Sequence, residues 1–256
     1  MLLAGTPAAQ RPTLNAGVLR TARPTPWVLR CARALPIDRA PIVDAGIVVQ
    51  GARIVAVDRF ADLTLAADTP VFDVGERIVY PGFVDLHHHV SSGGGDINDM
   101  NMPLNPALRT LDTVKPSAEL IRQTVSGGVT TTLFIPGSGT FLSGFGALLK
   151  MRGGGTLEAM VLEELGAMKI AQGYNPERDA GELGATRMGS SELLYQLLDR
   201  GRDYAAAWRA FDAGTGPKPE LDVELEQLRR VFDKQVPVLI HTAGLRDCLS
   251  TQRMFQ

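Results

Sequence analysis

The sequence predicts an α/β protein in which a small antiparallel β module precedes a parallel sheet built from βα units. Three observations carry this. Between Trp27 and Pro81 short apolar-alternating runs are separated by turn residues, whereas after Pro81-Gly82 β-prone runs alternate with helical stretches. Three of the four histidines, His87, His88 and His89, stand consecutively at the end of the first strand of the second region.

Residues 27–32 read as a strand. Residues 46–57 read as a hairpin turning at Gln50-Gly51, and residues 71–74 with 77–80 as a second hairpin. Residues 83–90 form the next strand. A helix over 117–126 follows, with Ser117 as N-cap and Gly127-Gly128 as its stop. Residues 129–135 are a β-branched run of the kind buried in parallel sheets. Within 160–171 a helix-like half precedes a strand at 167–171. Helices over 190–213 and 220–234 lead to a strand at 236–241, and the last stretch, 245–255, sets Leu245, Cys248, Leu249 and Phe255 on one helical face just before Gln256.

Composition narrows the function. The chain has 256 residues, 45% apolar and 21% charged, with 26 basic against 28 acidic side chains and a net charge of −2. That is long enough for a sizeable core, and it carries no basic footprint for nucleic acid. Cys31 and Cys248 lack the short paired spacing of zinc knuckles or redox motifs and read as free thiols. No charge occurs between Arg122 and Lys150, but Gly, Ser, Thr and Pro fill that stretch, so it reads as a buried strand with its loop and not as a membrane span. Residues 1–26 read as a disordered or remnant leader. The expected location is cytoplasmic if the start is correct, and periplasmic or secreted if Met1 lies inside a truncated signal peptide. Gly93-Gly94-Gly95 and Gly153-Gly154-Gly155 read as close turns, since neither stands in a phosphate-binding context.

The chemistry gathers at Asp85-Leu86-His87-His88-His89. On a strand, residues two apart share a face, so His87 and His89 point into one space and His88 points away. Two neutral imidazoles converging at a strand end are ligands for a borderline cation such as zinc. Asp85, one step deeper on that face, is expected to orient a ligand histidine. The competing reading is a surface histidine run with no ligand.

Residues 80–89, Tyr-Pro-Gly-Phe-Val-Asp-Leu-His-His-His, resemble the signature of the amidohydrolase superfamily of metal-dependent hydrolases. Residues 127–132, 135–139, 168–176, 186–189 and 238–243 resemble its imidazolonepropionase-like branch. The resemblance implies a (β/α)8 barrel with a small β-sandwich built from both chain ends, so that residues 27–81 supply the sandwich module and 82–256 the N-terminal part of the barrel. It also implies a site for one or two divalent ions, zinc foremost, with His87 and His89 as first-strand ligands, Lys169 as a carboxylated bridging lysine and His241 as a later-strand ligand. A solvent-reaching or salt-bridged Lys169 and a hydrogen-bonded core His241 are the alternatives. The implied activity is hydrolysis of C–N bonds in small molecules such as cyclic amides and dipeptides, through metal-activated water.

The length departs from the family. A full barrel takes about 250 residues, so four to five strands are expected here, with no second late histidine and no terminal strand to supply the Asp that would act as base. The reading is therefore a C-terminally truncated barrel, active only if the rest of the barrel is supplied; the expected partners are a complementing C-terminal fragment or a homo-oligomer, the latter holding the barrel half together in the scaffold reading. A non-catalytic remnant or scaffold and a mononuclear deaminase, in which Lys169 bridges nothing, are the alternatives.

Overall fold

In the computed structural model, residues 25–152, 155–173, 175–177, 184 and 186–255 are described. The leader expectation for residues 1–24, the Gly153-Gly154 pair, Tyr174 and Gln256 lie outside them. Two compact units divide the chain, one ending at Phe83 and one running from Val84.

The first unit is a five-stranded sheet of β1 (Trp27–Ala34), β2 (Ile42–Gln50), β3 (Arg53–Arg59), β4 (Val71–Asp73) and β5 (Ile78–Val79), ordered β3-β2-β1-β4 with β5 also on β1. The hairpin at Gln50-Gly51 forms, with Gln50 opposite Arg53 and Gly51 at φ +59°. The second expected hairpin does not. β4 and β5 both run parallel to β1, pairing Val28 with Val71 and Arg33 with Ile78. The reason is local: Gly75, at φ +65°, donates its N–H to Asp73 Oδ1 at 2.7 Å. Val74 N–H then reaches Arg30 O, and Ala32 N–H reaches Gly75 O. These bonds carry the chain onward along β1 instead of reversing it. Cys31, Ala34, Ala45, Ile47 and Val74 form the core of this unit.

The second unit is a partial barrel of five strands in the order β10-β9-β8-β7-β6. These are β6 (Phe83–His88), β7 (Val129–Phe134), β8 (Leu142–Lys150), β9 (Val161–Ala171) and β10 (Val238–His241). β9 and β10 are parallel, as expected, but β8 is antiparallel to both β7 and β9. The purely parallel sheet is thus corrected to a mixed one. Leu142, Phe145, Ala147 and Leu149 are buried, so this run is a central strand and not a loop beyond β7. Its glycines hid it from a propensity reading. They are required here: a Cβ on Gly144, at φ +97°, would stand 2.4 Å from Leu108 O, and one on Gly146 would stand 2.5 Å from Ile135.

Helix α1 (Glu119–Ser126) starts from Ala118, not from Ser117. A turn in which Ala118 N–H donates to Lys115 O brings the chain in and leaves Ser117 one residue early. The helix-like half before β9 is a single turn, α2 (Leu157–Met160), capped by Thr156. The long excursion between β9 and β10 is α3 (Arg187–Asp212) and α4 (Val223–Phe232). On α3 the buried stripe Leu194, Leu197, Leu198, Gly201 and Ala205 follows helical spacing. A Cβ on Gly201 would meet Phe232 at 2.9 Å, so glycine sets how closely α3 approaches α4. Asp222 caps α4 by accepting from the N–H groups of Glu224 and Leu225. Leu194, Leu197, Leu225 and Leu228 join Phe145, Met168 and Ile170 in the main core, each such side chain contributing roughly 1.5–3 kcal/mol on burial. α5 (Leu245–Met254) follows β10, and its apolar face is exposed, Leu245 to 76%. Among the described residues no helix is long and apolar enough to cross a membrane.

Candidate metal centre

The C-terminal ends of β6, β7, β9 and β10 place the chemistry. Strand alternation sends His87 and His89 to one side, where their Nε2 atoms lie 3.0 Å apart with the rings edge to face. Two nitrogens on one ion, each at about 2.0–2.1 Å, span such a separation. His88 points the other way, is 5% exposed, and packs edge-on against Phe134.

The tautomer of His89 follows from its second nitrogen. Its Nδ1 stands 3.0 Å from Ile135 O, which can only accept. Nδ1 therefore carries the proton, and Nε2 keeps its lone pair toward His87. Partial desolvation lowers the pKa of both rings, and the neighbouring Lys169 lowers it further. Both effects favour the neutral, ligating form.

Lys169 reaches this point from β9, its Nζ 3.5 Å from His87 Nε2. The residue is completely buried, and desolvation pushes its amine down to about 8. A solvent-reaching lysine is thereby excluded, and no carboxylate pairs with this amine among the described residues. His241 stands opposite Ala171 in the β9–β10 register. Ala171 is two residues beyond Lys169, so His241 and Lys169 share a sheet face. The His241 ring is engaged by Ser138, with Nδ1 2.6 Å from the hydroxyl oxygen.

Asp85 behaves differently from the expectation. Its Oδ1 accepts the His87 backbone N–H at 3.0 Å and its Oδ2 lies 3.4 Å from His88 Nδ1. It therefore steadies the strand end and the buried His88, not the ring of His87 or His89. Among the described residues no three His, Cys, Asp or Glu side chains cluster as a ready metal cage. The convergent set is two imidazoles and one lysine amine, with His241 on the same face.

Two residues escaped the sequence reading. Ser138 sits in a Gly-Ser-Gly turn, and Asn98 fills the space both glycines leave: a Cβ on Gly137 would stand 2.4 Å from Asn98 Oδ1, and one on Gly139 2.7 Å from the same atom. Gly139 N–H donates to Asn98 Oδ1 at 3.0 Å. The signal was the pair of glycines flanking a hydroxyl at a strand end.

No protein-family model matches the chain. The chain is 30% identical over 210 residues to the amidohydrolase tasK of Hapsidospora irregularis, covering 70% of this chain and 21% of that protein. It is 25% identical over 207 residues to the imidazolonepropionase of Ruegeria pomeroyi, covering 73% of this chain and 50% of that one. The chain thus spans half or less of the curated relatives it matches. Among solved structures, an amidohydrolase from Thermotoga maritima MSB8 superposes with a TM-score of 0.80 at 24% identity, over 89% of this chain and 61% of that one. Strand-borne histidines, a partial barrel shared with that structure and two curated relatives converge: this chain is a relative of the amidohydrolase superfamily.

Proposed function

We propose that this chain carries the first half of a metal-dependent hydrolase site for carbon–nitrogen bonds in small molecules. The observation behind the reading is the convergence of His87 and His89 Nε2 at 3.0 Å beside the buried amine of Lys169. The donor set fits a divalent cation, with zinc favoured by imidazole nitrogen. When bound, such an ion supplies Lewis acidity that polarises a carbonyl and acidifies water.

The chain's own residues supply position. His89 is fixed by Ile135 O and presents Nε2. His87 follows from the strand geometry that Asp85 steadies. Lys169 would be a ligand once its amine is neutral, either as the amine itself or as the carbamate formed when the neutral amine adds carbon dioxide and releases a proton. His241 presents Nε2 when its Nδ1–H donates to Ser138 Oγ. A base for the leaving nitrogen is not among these groups, so full activity is assigned to the site as completed by further polypeptide.

Zinc titration of chelator-treated protein tests the reading. Wild type should bind zinc, and the His87→Ala/His89→Ala variant should lose that binding. Equal zinc content in the two proteins would overturn it.

A further inference from the structure

The side chain of Asp247, third residue of α5, is 6% exposed and lies where three segments meet. Its Oδ2 accepts the N–H groups of Ala243 at 3.2 Å and Gly244 at 3.0 Å, two and three residues beyond His241. Its Oδ1 is ion-paired with Arg187, the first residue of α3, and Arg187 also lies 3.9 Å from Glu177. Gly173, just past β9, has φ +108°, and a Cβ there would stand 3.2 Å from Asp247 Oδ2. One buried carboxylate thus joins the turn after β9, the start of α3 and the turn after β10.

Capping explains only part of this. Gly244 at the N-cap has no side chain, so a carboxylate three residues on is a suitable acceptor for α5. Capping alone needs neither burial nor a cation arriving from another helix. The Arg187 guanidinium arrives from α3 on one carboxylate oxygen while the other oxygen holds both backbone N–H groups. Those N–H groups belong to the turn that carries His241 away from β10. Among the described residues its ring has one hydrogen bond, to Ser138, and a shift of the turn would break it.

We propose that Arg187 and the buried Asp247 form a latch that holds the turn after β10 and so sets the ring of His241 against Ser138. Both are positioning residues for the candidate metal centre. The inference rests on the reading of His241 as a ligand for its functional meaning, but not for its geometry.

Nitrogen-15 NMR of the histidine rings in metal-free protein tests the latch, with His241 assigned by comparison with His241→Gln. In wild type His241 should show one hydrogen-bonded tautomer. In Arg187→Met and in Asp247→Asn its nitrogen shifts should move toward the averaged values of a free ring, while those of His87, His88 and His89 stay in place. Arg187→Lys should restore the wild-type signature. Zinc affinity should fall roughly tenfold or more in the two disrupting variants. Asp247→Asn retains an oxygen for the backbone N–H groups, so it serves if Arg187→Met does not fold. Unchanged His241 shifts in a folded variant would overturn the latch even if zinc binds. If the His241 shifts move as expected but wild type binds no zinc, the latch stands and the metal reading falls.

Discussion

Lys169 Nζ lies 3.5 Å from His87 Nε2, although 82 residues separate them and the lysine is sealed from solvent. In metal-free protein this buried amine has an imidazole beside it but no carboxylate partner among the described residues. Lys169→Met, which keeps the volume and removes the charge, should therefore stabilise chelator-treated protein by about 1–3 kcal/mol while weakening its hold on zinc. Urea unfolding with and without zinc measures both effects. A lower urea midpoint in the metal-free variant would mean that the amine already has adequate partners.

The Gly137-Ser138-Gly139 turn is moulded around Asn98. Gly137→Ala should displace that side chain and weaken its bond from Gly139 N–H, at a cost of about 1 kcal/mol. In an Asn98→Ala background the same substitution should cost close to nothing. The double-mutant cycle reads the coupling directly, and additive effects would refute the packing argument.

The ion pair of Arg30 and Asp44, 2.8 Å apart on β1 and β2, gives a pH signature. Hydrogen bonding from Arg30 holds the Asp44 carboxyl below its usual pKa. A depressed acid contributes stability above its unfolded pKa and loses it as pH falls through the folded value. Asp44→Asn should accordingly lower the denaturant midpoint at pH 7, and the two proteins should converge as pH falls through and below the depressed pKa of Asp44. Both groups are solvent-facing, so the difference should be small and should shrink in high salt.

The two thiols should separate by reactivity. Cys31 is buried and its pKa is raised by that burial, while Cys248 is exposed with its sulfur 3.3 Å from Thr242 Oγ1. Native protein should release one equivalent of chromophore with a thiol reagent, and denatured protein two. Removal of the fast equivalent by Cys248→Ser would assign it.

Much of this architecture was legible because periodicity records burial. Alternation around His87 distinguished the converging rings from His88, and the family resemblance singled out Lys169. The hairpin at Gln50-Gly51 followed from turn chemistry. What escaped depended on partners distant in sequence. β8 is glycine-rich, and its strand character comes from the backbones packed against Gly144 and Gly146. The turn at Asp73 and Gly75 is local, but β4 and β5 run parallel to β1 because Val74 N–H reaches Arg30 O and Ala32 N–H reaches Gly75 O, partners far away in sequence. Asp85 is the local exception: its two oxygens are taken by the His87 backbone N–H and by the ring of His88, two and three residues on. Ser138 met His241 across 103 residues, through tertiary packing alone.

The antiparallel course of β8 also bears on the order of assembly. β7, β8 and β9 form a meander of short connections, whereas β10 must wait for α3 and α4 to pack before it can dock. Local pairings close with little loss of chain entropy, so the meander is expected to protect its amides early and β10 late. Pulse-labelled hydrogen exchange during refolding would show that sequence, and simultaneous protection of all four strands would argue against it. On this order Lys169 is buried before His241 arrives, so the site is completed from its centre outward.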